Sequence, residues 1–420
     1  MHTKFPLLRS RLPVLLAVAF VALFLTVATR VSGNLEVAWR MLRIPPMPVS
    51  FADTRMVTYP IDCVLNGQDP YDRSACHPLN SVYNYPPIWL DLRYLGVTSR
   101  SSVAIGVILV AMYVGALLLL FTSRRWISFA VVLAGVLSRP SLFAVERGNI
   151  DLAIFSLLVF GLFLGARRKP RARTFSDGLL VVLLTILKVY PVAAVAAFIR
   201  NRKGLRTASV VAALAIAGLL ITSGRSLARV LRNTPQFATG SYGAFPFFSV
   251  ISLYPFHSLT PILENHHWIA SLAGLLMAVL ATLAAASNRD KLDRLVPRLD
   301  FESARGQIAI ACLAIYCFTF LAGSAFTYRL IFLLGVLAFL VDALNKSTSL
   351  RFLPACLGLL AFLWVPIARY ALLLQVLDGL VFFVASAWLG STLLSRLGLS
   401  QSDEPTPSSA RAAPLREPAT

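Results

Sequence analysis

Between the first two apolar runs of the chain lies FADTRMVTYPIDCVLNGQDPYDRSACHPLNSVYNYPPIWLDL, which starts at residue 51 and holds the carboxylates Asp53, Asp62, Asp69 and Asp72. Each could take a proton from a hydroxyl group as a general base. Three cations stand further along, each where an apolar run begins or breaks. Arg147 comes with Gly148, Asn149 and Asp151, Lys188 with Tyr190 and Pro191, and Arg329 with Tyr328. Cations in such places can stabilise a phosphate leaving group. Base and cations together are the equipment for transfer to a hydroxyl from a phosphate-linked donor. Tyr59, Asp69, Tyr71, Tyr85, Asn149, Tyr190, His257 and Tyr328 are candidate substrate contacts beside them. The plainer readings are solvated loop carboxylates, Arg and Lys snorkelling at helix ends, and an interfacial aromatic belt in YNYPPIW.

The rest of the chain must position these groups in a membrane. Of 420 residues, 57% are hydrophobic and 14% charged, and the mean hydropathy is +0.72. The apolar residues fall in repeated runs of roughly 15 to 25, the length a bilayer core asks of a helix. No alternating strand pattern of a β-barrel is present. The expected fold is an all-α polytopic membrane protein of about 12 (10–13) transmembrane helices. A single domain over 1–400 would carry a long first extracytoplasmic loop (33–100), a second (224–265) and a disordered cytoplasmic tail (401–420).

The formal net charge of +20 fits the positive-inside rule and anionic headgroups, because Lys and Arg lie between apolar runs and no basic domain stands apart for nucleic acid. Lys4, Arg9 and Arg11 precede the first run, as in an uncleaved signal anchor, with a cleaved signal peptide the alternative. Both termini are then cytoplasmic, in a plasma membrane of bacterial type. The run DGLLVVLLTILKVYPVAAVAAFIRNRKGLR keeps the basic clusters at both its ends inside only if the helix breaks at Lys188–Pro191.

Of the five Cys, Cys312, Cys317 and Cys356 lie in apolar runs as packing residues. Cys63 and Cys76 share the first outside loop, where a disulfide is expected and two free thiols are the alternative. With His77 they make no four-ligand metal spacing.

Several motifs occur in an ordered series. Asp53 precedes GQDPY at 67–71 by 14 positions, YPP follows at 85–87, RGNID at 147–151 and LKVYP at 187–191, with AFTYRLIFLL at 325–334 a weaker echo. In these the chain resembles the family 87 glycosyltransferases, integral membrane enzymes of the GT-C class that include polyprenyl-phosphomannose-dependent mannosyltransferases. The resemblance implies a GT-C-like bundle and extracytoplasmic transfer of a hexose, such as mannose, from a polyprenyl phosphate to a lipid or glycan acceptor. The transfer would proceed with inversion and with Asp53 as base. Asp62 is the rival base. Arg147 and Lys188 are offered as phosphate contacts on charge and placement. The chain departs from the family at Thr54, where an aromatic is common, at Tyr59, in the Cys pair, and at Asp151, where Asn is frequent. GT-C enzymes in general can use a divalent metal, but no ligand spacing here calls for one, and no other cofactor is implied. A transporter or flippase for lipid-linked glycans is the alternative function, and a non-catalytic membrane protein a third. Ionisable groups gather at the outside ends of the runs rather than mid-membrane, which favours the enzyme.

Overall fold

The computed structural model describes residues 6–72, 82–234, 241–252, 263, 266–365 and 371–399. It is almost entirely helical. Eight helical stretches are long and apolar enough to cross a membrane: Ser10–Ser32, Ser99–Leu120, Trp126–Arg147, Arg202–Asn233, His267–Ser287, Ala304–Leu321, Thr327–Lys346 and Leu372–Arg396. Asp151–Gly165 and Leu353–Trp364 are shorter apolar helices. The all-α polytopic membrane architecture is therefore as the sequence leads one to expect.

In chain order the helices are α1 (Pro6–Ser32), α2 (Leu35–Met41), α3 (Ala52–Leu65), α4 (Ser102–Leu120), α5 (Trp126–Val136), α6 (Arg139–Arg147), α7 (Asp151–Gly165) and α8 (Pro170–Leu187). After a 3-10 segment, Tyr190–Phe198, come α9 (Arg202–Asn233), α10 (Ala244–Ser252), α11 (His267–Ser287), α12 (Arg289–Leu295), α13 (Ala304–Leu321), α14 (Leu333–Lys346), α15 (Leu353–Trp364) and α16 (Ala371–Arg396). A two-residue antiparallel pair, β1 (Ser241–Tyr242) with β2 (Ala325–Phe326), joins two of the connections. Helices α7, α13 and α14 form the core and are buried on most sides. Helices α1, α9 and α11 instead show apolar faces outward, with Leu23, Ile221 and Leu276 exposed. In water this would be a defect; in lipid, where hydrocarbon is the solvent, it is the expected surface.

Polar contacts gather at two opposite ends of the bundle. At one end Ser123 N donates to Ser10 O (2.9 Å), Arg11 reaches Phe121 O, and Arg305 bridges Asp342 (3.0 Å) and Thr122 (3.1 Å). Arg173, early in α8, donates to the Glu302 carbonyl at 3.1 Å, and Arg200, just past the 3-10 segment, to the Glu302 carboxylate at 3.3 Å. Because both arginines meet Glu302, the chain goes up α8 and returns along Tyr190–Phe198 to the end it left. The break predicted at Lys188–Pro191 is present: α8 stops at Leu187 and Lys188 is extended (φ −161°, ψ 136°). Pro191 has no N–H to offer the Leu187 carbonyl, and the Trp89 indole donates to that oxygen instead at 2.9 Å.

The second long loop begins later than position 224, since α9 continues to Asn233. Leu227, Val230 and Leu231 extend its helical spacing, and Arg229 secures it by ion pairs to Asp69 (2.8 Å) and Asp72 (2.7 Å). The first long segment is likewise not a plain loop, since α2, α3 and a 3-10 segment (Pro87–Leu95) occupy it.

Candidate active site

The centre of the site is the meeting of α3 with the turn between α6 and α7. Gly148 ends α6 in the left-handed region (φ +56°), and its carbonyl accepts a 2.6 Å hydrogen bond from Thr54 Oγ1. A Cβ at this glycine would lie 2.6 Å from Thr54 Oγ1 and 2.8 Å from the Phe51 ring. Only glycine allows both the backbone turn and this approach. The contact brings the first turn of α3 against Asn149, whose Nδ2 donates to Asp53 Oδ2.

Asn149 is fully buried and faces two ways. Its Oδ1 accepts from Asp151 N at 2.7 Å. Asp151, also fully buried, binds cations from two remote elements: Lys188 Nζ on Oδ1 and Arg329 Nε on Oδ2 (3.2 Å). The Tyr190 hydroxyl donates to Oδ1 at 2.7 Å. Lys188 lies over the rings of Tyr85 (5.2 Å) and Tyr190 (5.6 Å), and Arg329 over Tyr190 (5.1 Å), each a cation–π placement. The Tyr328 side chain also contacts Asn149. Asp53, Tyr85, Asn149, Lys188, Tyr190, Tyr328 and Arg329 thus come together at one end of the bundle.

Asp53 is part-exposed. Burial pushes its carboxyl above the ordinary value, and Arg147, the Asn149 hydrogen bond and Lys188 only partly offset that push. A carboxyl set in this way is a better proton acceptor than a free aspartate, because it binds the proton more tightly once ionised.

The other candidates do other work in the structure. Both carboxylate oxygens of Asp62 accept from Ser99 N (3.2 and 3.3 Å), at the entry to α4. Asp69 pairs with Arg229 and accepts from Tyr71 N at 2.9 Å. The Tyr71 hydroxyl, pushed up to about 12 by burial, donates to Tyr85 O at 3.1 Å, and Asn233 Nδ2 donates to both Tyr71 O (3.0 Å) and Tyr83 O (3.1 Å). The GQDPY turn therefore braces the strip that carries Tyr85. Tyr59 accepts from Arg55 Nη1 at 3.0 Å. Arg147 lies near Asp53, with its Nε 3.0 Å from Glu146 Oε2 and its guanidinium over the Phe143 ring (4.8 Å). His257 and Cys76 lie outside the described residues. Cys63 is disulfide-bonded, while Cys312, Cys317 and Cys356 are free thiols.

Two groups were not legible as parts of the site. Asp151 stood out from the sequence beside Arg147 and Asn149 at the start of an apolar run and as a departure from a motif, with no role of its own; a carboxylate opening an apolar helix needs a cationic partner, and that was the available signal. Trp89 read as an interfacial aromatic; its role at the α8 break follows from a contact between positions 98 apart. Among the described residues no three His, Cys, Asp or Glu side chains cluster as metal ligands.

Comparison with curated proteins and with solved structures finds no match. A family model does match, over residues 83–296, which is 214 of the 420 residues and includes Tyr85, Asn149, Asp151, Lys188 and Tyr190. Asp53 and Arg329 lie outside that stretch and join it through the contacts described above. Matched over half its length, in the stretch that supplies most of this polar cluster, the chain belongs to glycosyltransferase family 87.

Proposed function

We propose that this glycosyltransferase moves a hexose from a polyprenyl-phosphate donor to a lipid or glycan acceptor on the extracytoplasmic face of the membrane, with inversion and with Asp53 as general base. One observation carries the reading. A part-exposed carboxylate and two cations, Lys188 and Arg329, sit at the same end of the bundle, linked through Asn149 and Asp151. In the proposed step the acceptor hydroxyl gives its proton to Asp53 and its oxygen attacks the anomeric carbon from the face opposite the phosphate. The bond from that carbon to the phosphate oxygen breaks, and its electron pair stays on the phosphate. A phosphate next to cations leaves without a strong acid.

The membrane arrangement follows the same reading. With α7, α8, Tyr190–Phe198 and α15 added to the eight long spans, the chain makes about 12 crossings. The basic end, with Arg125, Arg173, Arg200 and Arg305, would face the cytoplasm together with both termini. The Cys63–Cys76 bridge would then lie outside, in the compartment that permits it.

The test is to incubate membranes with a panel of labelled polyprenyl-phosphate sugars and follow the lipid- and glycan-linked products. Asp53→Asn should lower transfer by roughly 10²- to 10⁴-fold, the usual contribution of a general base, at unchanged expression. Asp62→Asn should retain transfer. Full activity in the Asp53 variant would remove that residue from the mechanism.

A further inference from the structure

Lys188 and Arg329 come from elements far apart in the chain, and a single carboxylate holds both. Exposure separates their roles: the Lys188 and Arg329 side chains are 12% and 17% exposed, while that of Asp151 is 0% exposed. The acid is enclosed, and the two cations keep the small exposed fraction. Arg329 uses its Nε on Asp151, and among the described residues its terminal amino groups bond no other side chain. That end of the guanidinium fork is the part suited to an anion's oxygens. Arg147, the other cation nearby, stands one to one with its own counter-ion, Glu146, at 3.0 Å, whereas Lys188 and Arg329 share a single carboxylate. Two cations and one carboxylate leave the trio with one net positive charge.

We propose that Asp151 is a positioning residue that assembles Lys188 and Arg329 into a cradle for one phosphate group, the leaving phosphate of the lipid-linked donor, and registers that cradle against Asp53 through Asn149. The proposal rests on the reaction described above. As the bond between sugar and phosphate breaks, the phosphate passes from a singly charged diester to a doubly charged monoester. A cradle of net positive charge acts most strongly where that second charge develops. Asn149 spans the two halves with a single side chain, donating to Asp53 and accepting from the Asp151 backbone.

The test uses the full-length protein in lipid nanodiscs and the variant Asp151→Asn, which keeps the side-chain shape and a polar partner for Tyr190 but removes the charge. Steady-state transfer is measured against donor and acceptor separately over roughly pH 7 to 9, and farnesyl phosphate is used as a binding probe. The donor KM and the farnesyl phosphate dissociation constant should each rise about tenfold or more, with the acceptor KM unchanged. In the variant the donor KM should also climb with pH. Lys188, left facing Arg329, Tyr85 and Tyr190 with only Asp53 as a further carboxylate, gives up its proton more readily without its counter-ion; in the wild type burial already pushes Lys188 down and Asp151 opposes that push, so the donor KM should climb less than in the variant. Arg329→Lys, which keeps the charge and loses the fork, should raise the same two constants without the steeper climb with pH. An unchanged donor KM and unchanged farnesyl phosphate binding, with only kcat or the folded fraction lowered, would overturn the proposal. If the wild-type protein transfers from no polyprenyl-phosphate sugar while Asp151→Asn still weakens farnesyl phosphate binding, the cradle stands and the reaction reading fails.

Discussion

Asp53 and Asp62 are both aspartates of α3, and their surroundings set them apart. Asp62 spends its oxygens on Ser99 N at the entry to the next helix, whereas Asp53 meets Asn149 and is held above the usual carboxylate range, chiefly by burial. A base must be ionised to act, so the raised value fixes the sign of the pH response. Transfer should fall as pH drops through the raised Asp53 value, which lies above its ordinary 3.8. The fall should therefore begin at a higher pH than a free aspartate would give. A profile of kcat/KM against pH checks this, and an acid limb no higher than a free aspartate's would show that burial does not tune the group. The same shift has the opposite sign for folding: the native state holds the proton more tightly, so its contribution to stability is lost as pH rises through the raised value.

At the scale of elements, the decisive feature is the break between α8 and Tyr190–Phe198. It delivers Lys188 to the site and sends the chain back to the end it came from, where Arg173 and Arg200 share Glu302. The break is stabilised from outside its own segment by Trp89, which takes the carbonyl that Pro191 leaves without a donor. Single cysteines placed at Arg168 and Arg202 should react with a membrane-impermeant thiol reagent from the same side, and one at Arg100 from the opposite side. Labelling of the first two from different sides would show that α8 and the 3-10 segment form one continuous span. The contrast with α9 is instructive. Both segments follow basic residues, but α9 has no proline to interrupt it and runs 32 residues, about 48 Å at 1.5 Å per residue. It outruns a hydrocarbon core of about 30 Å and reaches the GQDPY turn with Arg229.

At the scale of the molecule, contacts between distant helices hold Ser241–Gly243 against the strand that precedes Tyr328 and Arg329. Asp378 of α16 is fully buried. It accepts from Gly243 N (3.0 Å) and from the Tyr316 hydroxyl (2.7 Å), while Gln375 Nε2 donates to Ser241 O at 2.9 Å. These bonds fix β1, which pairs with β2 just before Tyr328 and Arg329. Asp378→Ala leaves the buried Gly243 N–H without its acceptor, at about 1–3 kcal/mol, and takes one of two acceptors from the Tyr316 hydroxyl, which keeps the residue-378 carbonyl at 3.1 Å. It should lower the thermal midpoint in detergent and lower transfer as well, because Arg329 loses part of its support. An unchanged midpoint would mean that other contacts hold this connection. The sequence by itself determined the membrane class, the helical fold, the break at Pro191 and the family resemblance. These depend on hydropathy, proline chemistry and short motifs, all local along the chain. It also named Lys188 and Arg329, since charged groups at the ends of apolar runs are conspicuous, and the family resemblance put Asp53 ahead of its rival Asp62. It left several carboxylates and cations on an equal footing. Folding showed how their surroundings differ: Asp62 accepts from Ser99 N and Arg147 lies against Glu146, whereas Asp53 meets Asn149 and Arg329 shares Asp151 with Lys188. Asp151 became the hinge of the cluster for the same reason: its meaning lies in contacts with positions 37 and 178 residues away, and a buried charge takes its role from whichever remote group neutralises it.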